Sequence, residues 1–377
     1  ASAPIERFEI VQPVIAESDH LEMLGSYAGF DAYPLGACAA MDGHKPVLAP
    51  FDDAIVIAPR PAPAKGQQAF AWGRRVALGK ELLMPFSDAL HEVLLRQGRV
   101  IDPSQGLDQI CDVRFLNGVV AEIELNLAAG VDADVRNVMG MIVTPGLIDL
   151  HTHVYWGGTS IGVDPIALAR QSSTATLVDA GTSGAGNLLG FRKHVIEPSA
   201  PLRILPLLNI SFPGIFAFSR TVRMGECEDL RLLDMNSCIS VAREHADLVV
   251  GIKVRVGRGS SGTRGHAPLD MAIEVAETLG LPVMAHIDYI PPTRAEVLSR
   301  LRKGDILTHC FKPPPNAPTT PAGTVRAEVL DALNRGVIFD IGHGGGSCSF
   351  ATSRAMLKAG IQPDVISSDV HLLSANG

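Results

Sequence analysis

The stretch Thr144-Pro-Gly-Leu-Ile-Asp-Leu-His-Thr-His153 carries a short apolar run into an H-x-H pair. Alternate residues of a strand share a face, so both imidazoles can converge on one ion. Further along the chain, four more apolar segments end in, or carry, a charged or imidazole side chain of a type that can sit at a metal ion. Lys253 lies in Val249-Val-Gly-Ile-Lys-Val-Arg-Val-Gly257, His286 in Val283-Met-Ala-His-Ile-Asp288, His309 in Leu307-Thr-His-Cys310 and Asp369 in Ser367-Ser-Asp-Val-His371.

Eight candidate strands follow one another from residue 146: 146–154, 175–182, 203–211, 249–257, 282–288, 305–311, 337–344 and 365–371. Between them, stretches such as 230–245, 270–279, 294–301 and 325–334 place apolar residues three to four apart, as amphipathic helices do. This βα rhythm predicts an α/β protein built on a (β/α)8 TIM-type barrel, with the six residues at the C-terminal strand ends where barrel chemistry sits. Upstream, residues 93–127 read as short strands with turns at Gly98, Gly106 and Asn117-Gly118, part of a small β-domain over 84–145.

Composition bounds the function classes. The 377 residues are 46% hydrophobic and 19% charged, enough to bury a large core, and carry a formal net charge of −8 without Lys/Arg runs. That charge argues against a nucleic-acid partner. The longest apolar stretch, 204–218, is broken by Asn209, Ser211 and Pro213, so no membrane span is expected. Six cysteines without C-x-x-C spacing read as free thiols in a reducing cytoplasm. The expected partner is a small-molecule substrate, with homo-oligomer formation left open.

The order H-x-H, Lys, His, His, Asp resembles the amidohydrolase superfamily, in its amidohydrolase/deacetylase branch, which is dihydroorotase-like. The resemblance covers residues 93–377 and implies two divalent metal ions, zinc being favoured by imidazole and carboxylate ligands. It implies that His151, His153 and Asp369 hold one ion and His286 and His309 the other. A CO2-derived carbamate on Lys253 would bridge them. Lys253 stands in an otherwise apolar strand, where an unpaired ammonium would cost several kcal/mol, and burial favours the neutral amine that carbamylation requires. The implied chemistry is hydrolysis of an amide or ester by a metal-bridging hydroxide, with Asp369 as catalytic general acid/base.

Substrate-binding candidates are Arg255, two residues beyond Lys253 on the same strand face, His343 in Phe339-Asp-Ile-Gly-His-Gly-Gly-Gly346, and Tyr155. His371, two beyond Asp369, is a candidate neighbour of the ligands. Dihydroorotases resembled here carry H-x-H-x-R, whose arginine grips the substrate carboxylate, whereas this chain has His151-Thr-His-Val-Tyr155. The stretches 156–165, 186–195 and 367–371 look like the deacetylase type. Deacylation of N-acyl amino-acid derivatives or related acyl esters is therefore the leading expectation. The alternatives are a cyclic-amide hydrolase of the dihydroorotase, hydantoinase or allantoinase kind, and an inactive fragment whose barrel does not close.

In the superfamily the small β-domain is completed after the barrel, so residues 146–377 are read as a C-terminally truncated barrel beside an incomplete flanking β-domain. Residues 1–83 belong to neither piece. Asp31-Ala-Tyr-Pro34, Ala49-Pro-Phe-Asp-Asp53 and Arg60-Pro-Ala-Pro-Ala-Lys-Gly66 weakly resemble the C-terminal β-domain of succinylglutamate desuccinylase/aspartoacylase-like proteins. The tail of another reading frame and a genuine extension both fit.

Overall fold

The computed structural model describes residues 92–375 and, before them, the backbone of short strands between Arg7 and Val76. Apart from those strands, the resemblance read for residues 31–66 lies outside the described residues. The chain divides into two units, Ala1–Gln97 with Cys111–Met139, and Gly98–Ile110 with Gly140–Gly377.

In the first unit, residues 93–96 pair in parallel with Asp134–Asn137, and residues 112–116 pair antiparallel with Val119–Glu124. Asn117 and Gly118 make the hairpin turn with φ +51° and +80°, the left-handed pair a tight two-residue turn demands. The turn expected at Gly98 is not there. Gly98 lies within the strand Glu92–Asp102, and the irregularity falls on Gln97, whose φ is +61° and whose amide donates to the Asp112 carboxylate at 2.9 Å.

The second unit is the barrel. Its strands are β1 (Leu147–Thr152), β2 (Thr174–Gly184), β3 (Arg203–Asn209), β4 (Gly251–Val256), β5 (Val283–Ile287), β6 (Ile306–Leu307) and β7 (Ile338–Phe339), all paired in parallel in chain order. The eighth position is filled by residues 365–370, which bridge both edges through Asp340↔Val365 and Thr152↔Val370. The Asp369 amide donates to the His151 carbonyl at 2.7 Å and that of His153 to the Val370 carbonyl at 3.0 Å, so the sheet closes on itself. Helices Pro165–Ser172, Met235–Glu244, Ala267–Leu279, Arg294–Leu298, Ala327–Asn334 and Phe350–Lys358 alternate with the strands. None of the described helices is long and apolar enough to cross a membrane.

Two apolar layers hold this architecture. Outward residues of the strands, among them Leu177, Leu208, Ile252, Val254, Val283 and Leu307, pack with helix residues such as Leu269, Val275, Val297 and Val329. Val178, Ala180, Leu207, Met284 and Ile306 form a separate buried cluster from the alternate strand positions. All six residues of β4 are buried, because its two faces are covered by these layers. The same parity that sends Ile252 and Val254 to the outer layer sends Lys253 and Arg255 inward.

Candidate metal centre

The H-x-H histidines sit where β1 runs out, at the edge where β1 meets residues 365–370. Both point their Nε2 atoms at one oxygen: His151 Nε2 and His153 Nε2 are each 3.2 Å from Asp369 Oδ1. Tetrahedral ligands about 2.0–2.1 Å from a zinc ion stand roughly 3.3 Å from each other, so this trio has the spacing of three ligands to one ion. Their ligand atoms all lie within 4.8 Å of one another, and all three residues are buried.

The other ring nitrogens are pinned. His151 Nδ1 is 2.8 Å from Thr308 Oγ1, whose hydroxyl donates to Asp340 Oδ2 at 2.7 Å. His153 Nδ1 is 2.8 Å from Thr182 Oγ1, whose hydroxyl donates to Asp179 Oδ2 at 2.8 Å. A hydroxyl has one proton, and in each case the carboxylate takes it. In the neutral ring the threonine oxygen therefore accepts from the imidazole Nδ1–H, so that the Nε2 lone pair becomes available once Nε2 gives up the proton it can share with Asp369. Two Asp–Thr–His relays, from different strand ends, thus fix both tautomers for metal binding.

A second pair stands beside the first. His309 Nδ1 donates to the Gly342 carbonyl at 2.7 Å, so its Nε2 is bare and faces His286 Nδ1, also at 2.7 Å. With that proton between them, His286 Nε2 is left without a hydrogen-bond partner although it is buried. Its nearest carboxylate oxygen, Asp288 Oδ2, is 3.8 Å away, beyond hydrogen-bond reach. The lone pairs on His309 Nε2 and His286 Nε2 are of the type that could hold a cation.

Lys253 is fully buried, with its Nζ 3.3 Å from Met284 Sδ. Burial lowers its pKa to about 8, against the opposing pull of Asp369. Space for its stem comes from Gly181 on β2: a Cβ there would fall 2.4 Å from Lys253 Cγ, and φ is +81°.

The electrostatics separate the histidines. Burial holds the imidazoles of His286 and His309 well below the usual value and that of His153 down at about 3. His151 faces the same oxygen at the same distance, yet its pKa is raised. Burial acts against its charge too, but Asp369 and Asp340, the latter 3.6 Å from Nδ1, together outweigh it. Asp369 is held well below the carboxylate range: burial opposes this, and His151, through charge and hydrogen bond, dominates it. His309 and Asp369 both adopt left-handed backbone, φ +59° and +50°. For residues other than glycine this costs on the order of 1–3 kcal/mol and clusters at functional sites.

A cavity of about 280 Å³ opens over these groups, lined among others by His151, His153, Lys253, Arg255, His286 and Asp369. Arg255 is 8% exposed and lies 3.4 Å from Glu226 Oε2, and His371 also reaches the cavity wall. Tyr155 and His343 do not line it. Pairing with residues 365–370 runs on to the His153 amide, and a tight turn after it (Trp156 amide to Val154 carbonyl, 2.7 Å) takes Tyr155 off the strand face. Its ring stacks on Phe191 at 4.6 Å and its hydroxyl donates to the Asn187 carbonyl. His343 is exposed between Gly342 and Gly344, whose left-handed φ of +46° and +49° carry the chain around Asp369. Gly345, Gly346 and Ser347 line the cavity instead. The relay residues and the wall residues Phe218 and Arg223 had no signal in the sequence. Thr182 lies within β2 and Thr308 just past β6, each an ordinary residue for such a position, and the 210–229 segment has no periodicity.

No protein-family model matches the chain. It is 34% identical over 267 residues to a deacetylase of Agrobacterium fabrum, a match that takes in 69% of this chain and 63% of that protein. A deacetylase of Brucella anthropi is also 34% identical over 267 residues, with 64% of its length matched. The chain thus spans just under two thirds of the length of these curated relatives. Among solved structures, a dihydroorotase matches at 31% identity and a TM-score of 0.67, over 76% of this chain and 74% of that one. An adenine deaminase matches at 28% identity and a TM-score of 0.68, over 74% and 73%. With the closed parallel barrel and the deacetylase and dihydroorotase homologues together, the chain belongs to the amidohydrolase superfamily.

Proposed function

We propose that the chain is a metal-dependent hydrolase that removes the acyl group from N-acyl amino-acid derivatives or related acyl esters. The observation that carries this reading is the convergence of His151 and His153 Nε2 on Asp369 Oδ1, with both Nδ1 atoms pinned by threonine relays. In the proposal, His151, His153 and Asp369 hold one divalent ion and His286 with His309 the other, zinc being the favoured metal. Lys253, buried and with a lowered pKa, would be the amine that adds to CO2: an N–C bond would form as one C=O π bond of CO2 opens and Nζ gives up a proton, leaving an anionic carbamate of the kind that can ligate divalent ions. When bound, such a pair of cations acidifies water to a pKa of about 7 and polarises a carbonyl.

The protein's own residues supply the rest. Asp369, kept ionised by the imidazoles beside it, is a weak base, and it suffices because the water it faces would already be acidic. Its carboxylate would be the group that takes a proton from the attacking water and returns it to the leaving nitrogen or oxygen. Arg255, at the cavity wall, is placed to hold the far end of the substrate. The deacetylase names of the curated relatives support acyl removal. Ring opening of a cyclic amide is the second reading, supported by the dihydroorotase structural match. It is weakened because the position of the carboxylate-gripping arginine is Tyr155, which is packed on Phe191.

A metal-supplemented screen of N-acyl D- and L-amino acids, acyl-hydroxy acids and cyclic ureides decides between the two, acetate release against ring opening. Metal analysis of the purified chain is expected to give close to two divalent ions, and His151→Ala should lower content and turnover together. Full turnover by metal-free protein would end the proposal.

The relays make a separate prediction. Thr308→Val and Thr182→Val, near-isosteric changes that delete only the hydroxyl bridge, should each weaken metal binding by about 10–100-fold. Serine at either position should retain it. Competition titration with a chromogenic chelator reads this directly, and unchanged affinity in both valine variants would show that the hydroxyls do not orient the rings.

A further inference from the structure

A short hairpin from the segment after β3 reaches the cavity. Phe218 and Arg223 bridge antiparallel, Ser219 and Val222 close the turn (amide to carbonyl, 2.7 Å), and the Met224 amide donates to the Ala217 carbonyl at 3.0 Å. Both Phe218 and Arg223 line the cavity with Arg255 from β4. The Phe218 ring has the Arg223 guanidinium 5.4 Å from its centroid and that of Arg255 at 5.0 Å. One aromatic ring thus holds two like charges at the same cavity.

A guanidinium that lies flat on a ring keeps its N–H edge free for in-plane hydrogen bonds. Arg255 sends one edge toward Glu226, at 3.4 Å. Arg223 donates Nε to the Ser219 carbonyl at 3.3 Å, and its two terminal nitrogens meet no acceptor among the described residues. Glu226 is the ion-pair partner of Arg255, whereas Arg223, exposed at the cavity mouth, has no carboxylate within ion-pair distance among the described residues. A planar carboxylate, with two oxygens matching the guanidinium fork, is the group that complements this arrangement.

We propose that Arg223 and Arg255, bracketing Phe218, form a carboxylate clamp that selects anionic acyl substrates; the proposal rests on the acyl-hydrolase reading above. The clamp comes from the hairpin and β4, whereas the H-x-H-x-R pattern would place its arginine at residue 155. It makes Arg223 a specificity-determining residue: the free carboxylate of an N-acyl amino acid lies at the arginines while its acyl carbonyl lies at the histidine–aspartate group.

The test compares kcat/KM of the metal-loaded full chain for an N-acetyl amino acid and its primary carboxamide, a neutral near-isostere. The carboxylate is expected to be preferred by about 10–100-fold, the range for hydrogen bonds to charged groups. Arg223→Gln should bring the ratio close to one, chiefly through KM, and Arg223→Lys should restore part of it. Arg220→Gln, on the same hairpin but off the cavity wall, should leave the ratio unchanged. Equal use of both substrates by the wild type, or an equal fall for both in Arg223→Gln, would overturn the clamp. If neither substrate is turned over, the acyl-hydrolase reading fails first. Calorimetric titration with phenylacetate and phenylacetamide then decides the clamp: a carboxylate preference lost in Arg223→Gln sustains it, and equal binding of the two overturns it.

Discussion

Asp369→Asn is expected to lower kcat by about 10²–10⁴-fold, the loss that follows removal of a general acid/base. The substitution keeps the volume of the side chain, and its backbone amide remains bonded to the His151 carbonyl, so closure of the barrel between β1 and residues 365–370 should survive. What disappears is the charge that His151 and His153 share at Oδ1. Metal content must be measured alongside, because Asp369 is also a proposed ligand. A variant that retains metal and loses turnover isolates the proton-transfer role. Normal turnover at normal occupancy would remove Asp369 from the proposed chemistry.

Lys253→Ala should abolish most activity, by more than the 10–100-fold that loss of a group merely supporting a ligand costs. The reason is twofold: the variant removes the amine that the proposed carbamate needs and opens a void beside Gly181 and Met284. These effects can be told apart. A short carboxylate such as acetate or propionate, small enough to enter the void, should restore part of the activity if an anion is what the two ions require. Thermal unfolding reports the packing loss separately. An active, metal-loaded structure showing a bare ammonium at Lys253 would end the carbamate proposal, whatever the variant does.

The strands and the order of their functional residues were legible because a parallel barrel strand is buried on both faces and is written as a short apolar run. β4 is the clearest case: in Gly251–Val256 the polar residues Lys253 and Arg255 alternate with Ile252, Val254 and Val256, and parity alone sends them to the barrel interior. The same rule placed His151 and His153 together. Tyr155, the position at which the resembled dihydroorotases carry arginine, leaves that face because the chain stays tied to residues 365–370 through the His153 amide and turns only at Val154–Trp156. His343 escaped for a related reason, since two left-handed glycines around it break any periodic reading. Gly98 was misread as a turn because a strand can absorb a left-handed residue, here Gln97, when a carboxylate takes its amide.

By itself, then, the sequence determined the barrel class and the chemical types gathered at its mouth. Both depend on local alternation and on residue identity. Only the tertiary structure decided which of those residues touch: that Thr308 and Thr182, 157 and 29 positions away from their histidines, pin the two Nδ1 atoms. It likewise decided that His286 Nε2 is left without a partner and that Phe218 and Arg223 come to the wall beside Arg255. Closing eight strands into a ring brings residues from distant segments within hydrogen-bond distance. Chain separation carries no record of that proximity, because it is set by strand register and loop path rather than by any pattern along the chain.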